Sequence, residues 1–172
     1  MTLPPSELWL LALFPAGVIV AALKDATSFT IPNWLSGLLA LAFFPVALAA
    51  HLPLSVIGFS VLAGCGALAL GMAMFALGWC GGGDAKLLAA VALWLGWQGL
   101  APFAMVTCAA GGALAFALVL ARRNILAGMA SAGPAWLERL LTPGEDLPYG
   151  MAIAAGALAA FPSSALVMAV AG

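Results

Sequence analysis

Apolar residues run in long blocks along this chain, and short polar or Gly/Pro breaks separate them. Six blocks are long enough to read as helices. The first runs from about Glu7 to Leu23 and the second from after Pro32 to near Ala50. The third runs from Pro53 to about Gly78 and the fourth from Asp84 to about Trp97. The fifth runs from Pro102 to Ala121, and the last from near Pro148 to the C-terminus. Proline suits a helix start because its missing N–H has no partner to lose there. The fourth block is short for a perpendicular crossing, which needs roughly 20 residues. The pattern predicts an all-α polytopic membrane bundle of about six transmembrane helices, folded as one integral-membrane domain over residues 1–172.

Composition turns that pattern into a membrane assignment. The chain is 66% hydrophobic and 6% charged, where soluble domains carry about 25% charged residues. So little polar surface cannot cover a soluble domain, and a lipid bilayer removes the need. A formal net charge of −1 offers no basic stripe for nucleic acid. Met1 to Glu7 holds no Lys or Arg, so the basic start of a cleaved signal peptide is missing and the first helix is expected to stay in the mature chain.

The placement of charge gives a topology. Lys24, Lys86, Arg122, Arg123 and Arg139 fall in the connections after helices one, three and five, whereas those after helices two and four carry His51 and Gln98. All basic residues thus share one side, which the positive-inside rule makes cytoplasmic, with both termini outside. Within the longest connection, Arg122 to Leu147, the segment from Pro134 to Leu141 places Trp136, Leu137, Leu140 and Leu141 on one helical face. That is the pattern of a short helix lying on the membrane surface.

Among the acidic residues, Glu7, Glu138, Glu145 and Asp146 suit a solvated surface. Asp25 and Asp84 differ. Each borders an apolar helix, and both map to the cytoplasmic side. Carboxylates at membrane depth are costly and mark function. Two of them sharing one proton have what peptide hydrolysis needs, one to accept a proton from water and one to hydrogen-bond the oxyanion. No metal and no cofactor is required. The single histidine, His51, is predicted on the opposite side, which leaves a Ser–His or Cys–His system without a base. Cys65, Cys80 and Cys108 form no CxxC pair and read as small hydrophobes or inert thiols. Thr107 is expected to bond its own helix backbone. A bland reading of Asp84 is a helix N-cap beside a glycine turn, and of Lys86 a topology anchor. A small proton-coupled transporter using both aspartates is the rival function, and it predicts carboxylates near the bilayer midplane.

Three segments carry a family resemblance. Gly81-Gly82-Gly83-Asp84 fits a GxGD motif and continues as Ala85-Lys86-Leu87. Asp25 precedes Ile31-Pro32-Asn33 by six residues, and Pro148-Tyr149-Gly150 opens the last helix. In this order they resemble the type IV prepilin peptidases, intramembrane aspartic peptidases that cut the leader from pilin-like precursors at the cytoplasmic face of the bacterial inner membrane. The resemblance implies that Asp25 and Asp84 are catalytic, supported by Gly81, Gly83, Lys86 and Asn33. It implies a prepilin whose N-terminal helix is membrane-inserted as substrate, and no cofactor. Larger members add a segment with paired CxxC motifs and methylate the new N-terminus. This chain looks like the short, peptidase-only branch of tight-adherence (Flp) pilus systems. Presenilin-type proteases share GxGD but pair it with a tyrosine–aspartate motif, and no Tyr precedes Asp25 here.

Overall fold

The structure is a computed structural model, and it describes residues 10–123, 135–142 and 147–171. Among the described residues every regular element is helical. They are α1 (Leu13–Ser28), α2 (Asn33–Ala49), α3 (Leu54–Ala76), α4 (Gly82–Arg123), α5 (Ala135–Leu141), α6 (Tyr149–Ala160) and α7 (Ala165–Ala171). Glu7, Pro134, Glu145 and Asp146 lie outside the described residues.

The long α4 is not one rod. Gly96 has φ 62° and ψ −172°, a conformation essentially reserved for glycine. Asp84, Ala85 and Leu88 from before it line one cavity with Thr107, Gly111 and Ala115 from after it. A straight helix would hold Leu88 and Ala115 about 40 Å apart. The chain therefore reverses at Gly96, and α4 is a hairpin with a first arm at 82–95 and a second at 97–123. Among the described residues, four stretches are long and apolar enough to cross a bilayer: Leu10–Ser28, Leu54–Ala76, Gly82–Arg122 and Tyr149–Val170. The hairpin counts twice, and α2, at 17 residues, adds a pass of about 25 Å. The described residues thus make six passes, in keeping with the all-α polytopic bundle of about six helices expected from the sequence.

Local chemistry sets the helix ends, and several differ from expectation. The first helix continues past Leu23 to Ser28. The Thr27 and Ser28 hydroxyls donate to the carbonyls of Leu23 (2.7 Å) and Lys24 (2.6 Å), so the polar residues finish the helix rather than stop it. The third helix ends as expected at Gly78. There φ is 73°, and the Gly78 and Trp79 N–H groups bond Phe75 and Met74 carbonyls in a Schellman cap. Pro102 lies just past the first turn of the second arm, not at its start. The last span breaks at Phe161–Ser163, a 3₁₀ turn around Pro162. Ser164 then caps α7 by accepting from the Val167 N–H (3.2 Å).

Packing fixes the relative positions. In α1 the buried residues are Phe14, Val18, Ala21 and Asp25, spaced four, three and four apart, so Asp25 sits on the core stripe. α1 and α6 run antiparallel. Asp25 meets Gly150 at one end, and the Phe14 and Phe161 rings meet at the other, 4.7 Å between centroids. Trp94 of the first arm joins this aromatic end at 5.3 Å from Phe14 and 5.9 Å from Phe43. Its indole N–H donates to the Leu39 carbonyl of α2 at 2.7 Å. In lipid such close packing, rather than exclusion from water, holds helices together. α3 runs antiparallel to the first arm, and a Cβ on Gly71 would stand 2.9 Å from Ala85 Cα.

Candidate active site

The end of the bundle opposite the aromatic cluster is polar. Four basic side chains lie there. Lys86 Nζ donates to Asn33 Oδ1 at 2.8 Å, and Arg122 Nε to the Leu140 carbonyl at 3.1 Å. The Arg139 guanidinium stands 4.8 Å from the Phe29 ring centroid, and Lys24 is in the last turns of α1. His51 closes α2 at the far end with φ 52°. The one-sided charge read from the loops is thus present in three dimensions.

Asp25 and Asp84 both lie at this polar end. Together they line two small cavities. One, of about 180 Å³, is completed by Phe29, the 78–81 turn, Leu147 and Tyr149. The other, of about 210 Å³, is completed by Phe29, Thr30, Ile31 and the glycines 81–83. Asp25 is only 5% exposed, because it continues the buried stripe of α1 and does not end the helix. Its Oδ2 accepts the Gly150 N–H at 2.7 Å. A Cβ on Gly150 would lie 2.8 Å from that oxygen, so the glycine is what lets α6 approach.

Asp84 is half-buried and is not the N-cap of the bland reading. The helix starts at Gly82, which makes Asp84 its third residue. Its Oδ2 reaches back to accept the Gly81 N–H at 3.2 Å, the return limb of a capping box. Gly83 packs against the Ile31 backbone, where a Cβ would stand 3.2 Å from the carbonyl oxygen. The glycine turn thereby docks onto the Ile31–Pro32 loop and brings Asp84 to Asp25. Burial first, and then the Asp84 carboxylate, push the Cys80 thiol up, away from the thiolate a nucleophile needs.

Of the residues singled out in the sequence, Asp25, Asp84, Gly81 and Gly83 come together around the carboxylate cavities. Lys86 and Asn33 pair with each other one step away and line a different groove. Thr107 does not bond its own helix as expected. Its Oγ1 is buried without a hydrogen-bond partner and packs against Gly156. Gly150 and Phe29 were not among the predicted site residues. Gly150 lies in the Pro-Tyr-Gly segment, which was legible as a motif, whereas no pattern points to Phe29.

Residues 12–116 match the type IV leader peptidase family. The chain belongs to that family. The match spans Asp25, Asn33, the glycine turn, Asp84 and Lys86, and ends before Gly150. No curated protein and no solved structure matches the chain. The protein is a multi-pass leader peptidase, and the polar end just described is its candidate active site. The grouping of both carboxylates at one end differs from the midplane placement that a transporter reading predicts.

Proposed function

We propose that this chain is an intramembrane aspartic endopeptidase with Asp25 and Asp84 as its catalytic pair. It removes the leader of Flp-type prepilins and related pilin-like precursors at the cytoplasmic face of the bacterial inner membrane. Both termini then face outward, residues 1–172 act as one domain, and the activity is leader removal without methyl transfer. The observation that carries the reading is that both carboxylates wall the same two cavities at the end where the basic side chains gather.

In this mechanism one carboxylate takes a proton from water as the oxygen attacks the scissile carbonyl. The other carboxyl group hydrogen-bonds the forming oxyanion. When the tetrahedral intermediate collapses, the C–N bond breaks and the leaving amine takes a proton from the dyad. The dyad returns to one shared proton and no metal takes part. Cavities of about 180 and 210 Å³ have room for water. The Gly150 N–H holds the Asp25 carboxyl in place, and the capping bond from Gly81 holds that of Asp84. The paired Lys86 and Asn33 brace the two loops that carry the site.

The test is cleavage of a co-expressed Flp-type prepilin, read by gel shift and N-terminal sequencing, with Asp25→Asn and Asp84→Asn inserted to equal levels. Positioned acid–base groups contribute about 10²–10⁴-fold, so each variant is expected to lose cleavage by that factor or more. Cleavage persisting in either variant removes the dyad from the mechanism.

A further inference from the structure

Two grooves flank the first arm of α4. One, of about 490 Å³, lies between α2, α3 and that arm and is walled in part by Gly37, Cys65 and Lys86. The other, of about 450 Å³, lies between α3, the two arms and α6 and is walled in part by Gly71, Cys108 and Gly112. They differ in what they lead to. The second shares Trp79, Cys80, Asp84 and Tyr149 with a cavity that holds both carboxylates. The first shares no residue with either carboxylate cavity.

We propose that the groove between α3 and the second arm of α4 seats the apolar N-terminal helix of the pilin-like precursor, which enters sideways from the lipid. This rests on the reading of Asp25 and Asp84 as the catalytic pair. Cys108 and Gly112 are exposed, so the groove opens to the side of the bundle. A Cβ on Gly112 meets nothing within 4 Å, and small residues there let another helix backbone approach closely. Among the described residues, Asp84 is the sole charged one in the groove wall, and it stands at the polar end. The wall suits an apolar helix whose polar leader continues toward the carboxylates. An acyl chain would gain nothing from that continuation. From Thr107 to Ala115 the wall is about 12 Å long. It therefore grips roughly two turns of the incoming helix and leaves the remainder in lipid.

Two leucine substitutions test this, each at a glycine whose Cβ has open space. Gly112→Leu fills the proposed seat, and Gly37→Leu fills the other groove. With membrane-embedded precursor, Gly112→Leu is expected to raise KM about tenfold with kcat within about twofold, and Gly37→Leu to change neither. Native cysteines supply a second readout. In an Asp25→Asn background that holds precursor uncleaved, single cysteines along the precursor helix are expected to cross-link to Cys108 with a helical period, and not to Cys65. Cross-linking to Cys65, unchanged KM in Gly112→Leu, or Cys108 coupling to a second copy of this chain in place of precursor overturns the proposal. In each of these cases cleavage lost in both Asp variants leaves the dyad standing. No cleavage by the unaltered chain refutes the peptidase reading, and the docking proposal with it.

Discussion

Gly150→Ala isolates the link between α6 and the carboxyl group of α1. The added Cβ would stand 2.8 Å from Asp25 Oδ2, 2.9 Å from its Cβ and 3.0 Å from its Cγ. No side-chain carbon is accommodated at such distances, and Asp25 is fixed on a packed helix, so α6 must retreat or the carboxyl must rotate. Either movement breaks the 2.7 Å bond from the Gly150 N–H. Hydrogen bonds to charged groups are worth about 1.5–3 kcal/mol. If that bond positions the carboxyl for reaction, kcat/KM falls roughly 10- to 150-fold. The assay is prepilin cleavage at matched membrane levels, with Gly66→Ala as control because its Cβ meets nothing within 4 Å. Thermal unfolding in detergent, run in parallel, separates a misplaced carboxyl from a loosened bundle. Cleavage by Gly150→Ala at the control rate would refute the claim that Gly150 positions Asp25.

Three further predictions follow from the same geometry. Gly96→Ala forces a Cβ into a glycine-only conformation, within 3.0 Å of Ser60 Oγ, and is expected to cost about 1–3 kcal/mol of stability; unchanged thermal unfolding argues against the reversal at this residue. Asn33→Ala and Lys86→Met, alone and combined, are expected to show a coupling of about 0.5–1 kcal/mol, since their bond is exposed; purely additive losses would mean the contact contributes nothing. With Cys65 and Cys108 replaced by Ser, Cys80 is expected to alkylate slowly at neutral pH, because burial and the Asp84 carboxylate raise its pKa and deplete the thiolate. Asp84→Asn removes one of those two causes and should speed the labelling, and equal rates would contradict the closeness of the two groups.

The helix count and the one-sided charge were legible because long apolar blocks and basic loops are local signals. The ends were less so. Lys24 and Asp25 look like a stop, but two hydroxyls carry α1 onward to Ser28. That extension puts Asp25 on the buried stripe. Gly96 looks like one more small residue in an Ala/Gly-rich chain, and only its positive φ reveals that two blocks form one tight hairpin. The motifs singled out both aspartates, and the two side chains line the same two cavities. The partner of Asp25 was harder to foresee, because a backbone N–H leaves no mark on residue type and Gly150 is 125 positions away. Lys86 and Asn33, singled out as supporting residues, join each other in a pairing across 53 residues that no local pattern encodes.

The two contacts between α1 and α6 share one spacing. Phe14 and Asp25 are eleven residues apart on α1, and Gly150 and Phe161, the residue that follows the end of α6, are also eleven apart. The helices are thus fastened twice, by a tilted pair of rings at one end and a single hydrogen bond about 16 Å away at the other. Neither helix can slide by a residue without undoing both fastenings. A truncated ring at Phe14, fully buried, would therefore surface as a carboxyl group set at the wrong height. The setting of the candidate site at one face of the bundle is ruled from its opposite face.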